Sequence, residues 1–149
     1  VGKKEVLVPY NSNRLLQVKD ADIIKGQHLN PDHVRWELHR VWVVEAKLKE
    51  GQRHQAPRSL YYLDEDTWGA VLGDRWDAQG QLWKTLWTMS YVMPDVPGTV
   101  QQTFGYYDML SGAAYVANVL NDKPFQHRAT KRWPEDSFTG DGLAARGVR

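Results

Sequence analysis

Two stretches of the chain repeat with a period of two. In residues 35–48 the even positions are Trp36, Leu38, Arg40, Trp42, Val44, Ala46 and Leu48, and the odd ones include Glu37, His39, Val41, Val43, Glu45 and Lys47. In residues 82–93, Trp83, Thr85, Trp87, Met89 and Tyr91 alternate with Leu82, Lys84, Leu86, Thr88 and Ser90. Successive side chains of a strand point to opposite faces, so this period predicts long strands, each with one largely apolar face. The β-branched and aromatic residues in the middle of both stretches disfavour a helix. A sheet of such strands needs a cover for its apolar face.

Turn signals divide the rest of the chain. Glu50-Gly51-Gln52, residues 64–67, residues 78–81 and Leu110-Ser111-Gly112 separate strands expected at 53–63, 68–76, 82–93, 100–109 and 113–120, with Pro57 at a bulge or edge. Strands joined by such short turns are antiparallel neighbours. The expected fold is mainly β, a curved antiparallel meander of about six strands over residues 35–120. Residues 1–34 read as one short strand (3–9) followed by loops, and residues 121–149 as an irregular tail wrapping the sheet, with at most one helical turn near Leu143–Arg146. Pro124, Pro134, Gly140, Gly142 and Gly147 lie in that tail. No long amphipathic helix is available as a cover. The sheet must curl on itself, be covered by a longer chain, or meet a ligand or partner, and its edges leave self-association open.

Composition narrows the function classes. The 149 residues suffice for one domain, and with 19 Lys plus Arg against 18 Asp plus Glu the net charge is +1. Nucleic-acid binding needs a basic excess that this chain lacks. No apolar run reaches the roughly 18 residues of a transmembrane helix. The absence of cysteine excludes disulfides and thiolate metal sites. A chain starting at Val1 reads as a processed product or a fragment.

The candidate ligand surface is Trp36, Leu38, Arg40, Trp42, Trp83, Trp87, Met89, Tyr91 and Phe104, taken as one inner face. Each CH₂ of an acyl chain removed from water there is worth about 0.8 kcal/mol. Any one of these residues is more often plain core than ligand contact. Arg40 lies among apolar neighbours, so a carboxylate on an adjacent strand or a ligand head group is expected beside it. The histidines His28, His33, His39, His54 and His127 have no zinc-ligand spacing, and His39 with Glu37 reads as a solvated pair. Asp64-Glu65-Asp66 reads as a solvated turn without the calcium-loop pattern. No serine sits in a nucleophile elbow and no glycine-rich phosphate loop is present, so no catalytic residue, metal or cofactor is assigned.

Three segments carry a resemblance: VPYNSN at 8–13, the stretch from Asn30 through ELHRVWVVEA to YYLDEDTW at 61–68, and FTGDGLAARG at 138–147. Together they resemble the Gram-negative family catalogued as domain-of-unknown-function family thirteen-twenty-nine and described as outer-membrane lipoprotein-sorting proteins similar to LolA and LolB. The resemblance implies an incomplete half-barrel, here as a single domain or the C-terminal portion of a longer protein. It also implies a periplasmic or outer-membrane-associated location, and a non-enzymatic role binding or trafficking a lipid or lipoprotein acyl chain, with envelope transport components as partners. The alternative is a structural module that pairs with another protein through its sheet edge or aromatic face.

Overall fold

The computed structural model describes residues 1–123 and 129–147; Pro124 and His127 lie outside the described residues. In chain order the strands are β1 (Gly2–Pro9), β2 (Ile24–Lys25), β3 (His28–Leu29), β4 (Trp36–Lys47), β5 (Arg58–Asp64), β6 (Ala70–Trp76), β7 (Leu82–Met93), β8 (Gly98–Asp108) and β9 (Ala114–Ala117). Seven of them form one antiparallel sheet in the order β1-β4-β5-β6-β7-β8-β9, and β2 and β3 form a small ribbon. The sheet is not closed into a barrel. The meander is therefore as expected from β4 onward, and β1 extends it beyond β4.

Pairing fixes which side chains share a face. Leu7 lies opposite Leu38, Glu5 opposite Arg40 and Lys3 opposite Trp42, so the even face of β4 continues onto β1. The other face carries Val41 and Val8, both fully buried against Val71. On β7 the odd residues turn to this inner side: Trp87 and Met89 are buried with Leu15, Ile23 and Leu29. Register shifts between Tyr62 and Leu63, Arg75 and Trp76, and Thr88 and Ser90 interrupt the ladders. Such bulges bend and twist a sheet, which lets β1 approach β6 and β7 across the inner side.

Residues 10–34, expected to be mere connection, are the cover. Two 3₁₀ turns, Leu15–Gln17 and Asp20–Asp22, and the β2–β3 ribbon drop Leu15, Ile23 and Leu29 onto Trp87 and Met89. Side chains of the sheet side hold this segment down. The Tyr107 hydroxyl accepts from the Leu29 N–H at 3.0 Å, and Asn121 Nδ2 donates to the Leu15 and Val18 carbonyls at 2.6 and 2.7 Å. The polar groups of an irregular segment laid on a core find partners in this way.

The tail is more helical than its sequence suggests. A 3₁₀ turn (Glu135–Phe138) precedes the helix α1 (Gly140–Gly147). Thr139 caps the helix, its hydroxyl accepting from the Gly142 N–H at 3.1 Å. Neither element has a buried residue, so they do not supply the sheet's core.

Candidate functional site

The nine residues expected on one inner face do not share a face. Trp36, Leu38, Arg40 and Trp42 lie on the outer face of β4, with Trp36 47% and Leu38 64% exposed. Phe104, opposite Thr88, is exposed on β8. Trp87 and Met89 lie inside, and their near-complete burial makes them core. Gly105 is what lets the Trp87 ring fit: a Cβ there would fall 2.6 Å from Trp87 Cζ2 and 2.1 Å from the Tyr115 carbonyl oxygen. The inner face is therefore filled by the chain itself at this point. Tyr91 follows the β7 bulge and is half-buried, and burial pushes its hydroxyl pKa up.

Trp83 stands apart from both groups. Its indole N–H donates to Asp108 at 3.2 Å, and the Lys84 ammonium lies 4.2 Å from its ring centre. It borders a shallow hollow of about 300 Å³ with Gln55, Asp77, Gln79 and Leu110. A second hollow of about 410 Å³ lies between Met93, Val96, Val100 and the tail's Ala129 and Thr130. Both are peripheral to the sheet's centre.

On the outer face, Leu7 and Leu38 pair across strands beside Trp36, and all three are exposed. Next to them Trp42 stacks on Trp68 (centroids 6.4 Å, planes 15° apart), with the Lys3 ammonium 4.7 Å from the Trp42 ring. Trp68 has φ +58° and is 66% exposed. A bulky residue with positive φ is strained by roughly 1–3 kcal/mol and needs a rigid surround. The turn supplies it. The Trp68 N–H donates to the Asp64 carbonyl, the Asp64 N–H to the Gly69 carbonyl, and the Asp64 carboxylate accepts from Thr67 N at 3.1 Å and Thr67 Oγ1 at 2.8 Å.

Arg40 needs no ligand head group. Its guanidinium is exposed and grips Glu65 through Nε at 2.8 and 2.9 Å and through Nη2, while Lys3 reaches the same carboxylate at 2.8 Å. Arg40 first, then Lys3, holds the Glu65 carboxyl down to about 2. The structural pair expected for Arg40 is thus present, but on the exposed face rather than a buried one.

The inner side of the same strands holds a polar cluster. His39 Nδ1 is 2.9 Å from Asp64 Oδ1, and Nε2 is 3.4 Å from Glu37 Oε2. Asp64 is fully buried, His39 is mostly so, and the Tyr10 ring lies 4.0 Å from the imidazole. Asn11 and Arg35 contact Glu37 at 3.4 and 3.0 Å. The reading of His39 and Glu37 as a solvated pair, and of Asp64 as a solvated turn residue, is corrected here. Polar residues face inward because they satisfy one another. No local spacing announces this, since His39 and Asp64 are 25 residues apart. His54 does not join them; its Nδ1 accepts from the Ala56 N–H within its own hairpin.

Fold and site together define an open, curved antiparallel sheet with one face covered by its own chain and an aromatic opposite face. Residues 1–144 match the family described as protein of unknown function (DUF1329), and the chain belongs to that family. It is also similar to the uncharacterized protein PA3922 of Pseudomonas aeruginosa, 38% identical over 152 residues, covering 99% of this chain and 33% of that relative. The chain thus spans about a third of the length of the curated relative it matches. No solved structure matches. These findings carry the family and do not extend to LolA, LolB or lipoprotein sorting.

Proposed function

We propose that this domain is a non-catalytic docking module of an envelope protein, working in the periplasm or on the periplasmic side of the outer membrane. Its outer face binds an apolar surface of another protein. The compartment, and an envelope transport component as the partner, follow from the sequence resemblance. The observation that carries the docking reading is Trp68, held at φ +58° and 66% exposed beside Trp42. Strain maintained by a buried carboxylate in order to display an indole has a use at a binding surface and none in the core. Exposed Trp and Leu next to an ion cluster match the usual centre and rim of a protein interface.

Carriage of a lipid or an acyl chain was expected on a floor that included Trp87 and Met89. That floor is occupied by Leu15, Ile23 and Leu29, so a hydrophobic ligand retains the outer residues as its contacts. The two readings separate by what touches position 38. A photo-crosslinking amino acid at Leu38, in the chain secreted to the periplasm of a Gram-negative host, should give a discrete protein adduct. Trp68→Gly should abolish it while leaving stability within about 1 kcal/mol, because glycine relieves the backbone strain as the stacking is lost. A lipid adduct, no adduct, or an adduct unaffected by Trp68→Gly would overturn the proposal.

A further inference from the structure

The inner polar cluster shares Asp64 with the turn that holds Trp68, while His39 lies on the side away from the docking face. We propose that His39, Asp64 and Asp66 form a binding site for a divalent transition-metal ion. One ligand atom from each lies within 4.8 Å of the other two. The imidazole is already oriented: the Tyr10 ring packs 4.0 Å from it, and Glu37 stands 3.4 Å from Nε2. With an ion bound, Glu37 can hold the Nε2 proton and leave the Nδ1 lone pair for the metal, in place of the 2.9 Å contact that Nδ1 makes with Asp64 Oδ1. Asp64 is anchored by Thr67 through Oδ2, which leaves Oδ1 toward His39. Asp66 is exposed and forms the open side, where an ion can arrive and water can complete its coordination.

Charge supports the same reading. Glu37, Asp64 and Asp66 surround one imidazole. Among the described residues, Arg35 pairs with Glu37 at the edge of the cluster. Nearby Arg40 and Lys3 are engaged by Glu65 on the opposite face. Asp64 is fully buried, so water screens its charge little and it attracts a cation. A mixed imidazole and carboxylate set favours zinc or manganese over magnesium or calcium. Zinc with ligand bonds near 2.0–2.2 Å places neighbouring tetrahedral ligands about 3.3 Å apart. The 2.9 Å gap between His39 and Asp64 would need to open by only a few tenths of an ångström.

The test uses the whole chain after dialysis against a chelator, titrated separately with Zn²⁺ and Mn²⁺ by calorimetry. One of the two ions should bind with a single equivalent. Asp66→Asn, an exposed change, should weaken that binding by at least about tenfold with an unchanged melting temperature, and His54→Gln should leave it as it was. In the unaltered protein, a substoichiometric amount of the ion that binds should shift or broaden the imidazole NMR signals of His39 and not those of His54. Absence of binding by both ions, equal binding by Asp66→Asn, or a shift at His54 instead of His39 would overturn the site.

Discussion

The two faces of this sheet use similar residues for opposite ends. Inside, Trp87 and Met89 are sealed by the chain's own irregular segment, and the buried Asp64 is paired with His39 and Thr67. Outside, Trp36, Leu38 and Trp68 stand in solvent beside a carboxylate gripped by two cations. An aromatic residue in an alternating strand therefore says nothing by itself about which way the core lies. The deciding factor is what else in the chain can reach that face.

The sharpest way to break the comparison is to truncate an apolar side chain on each side. Trp87→Ala should lose about 3–5 kcal/mol in urea denaturation, because its neighbours cannot close the space left behind. A loss below about 1 kcal/mol would mean that the inner face is not the core. Asn121→Ala tests the fastening of the cover: two carbonyls in a part-buried setting lose their donor, and about 1–3 kcal/mol should go with them. Leu38→Ala on the outer face should change stability by no more than about 0.5 kcal/mol. A larger loss there would mean that the outer face is covered in solution.

The smallest effect is the acid response of Asp108. The Ser111 N–H, then that of Leu110 and the Trp83 indole, hold this carboxyl below its ordinary 3.8. A depressed folded pKa stabilises the fold above the unfolded value, and that contribution fades as pH falls below it. The Trp83 indole NMR signal should move as pH drops from about 5 to 2 in the unaltered protein. Asp108→Asn should flatten that movement; persistence of the same titration would assign it to another group.

Much of the architecture was legible. The period of two located β4 and β7, and β7 runs from Leu82 to Met93 as read. Turn residues placed the other hairpins, although β5 begins only at Arg58, after the irregular stretch around Pro57. The face assignment of β4 was not legible, because Glu37 and His39 look solvated until Asp64 is brought beside them. Nor was the cover, since Leu15, Ile23 and Leu29 follow no periodic pattern. Their common surface exists only after turns at Leu15–Gln17 and Asp20–Asp22 have formed. Among the candidate ligand residues, Trp36, Leu38, Arg40 and Trp42 share one face of β4, and Trp87 and Met89 lie in the core on the other side.

The bond from Asn121 to the Leu15 carbonyl spans 106 positions of the chain. During synthesis the early segment must therefore wait, unfastened, until the last strand has emerged. Closing so long a loop is entropically costly and slows assembly. Pulsed hydrogen exchange during refolding should find the amide of Leu29 protected later than those of the β7–β8 hairpin; the reverse order would show that the early segment seats itself before its tether arrives.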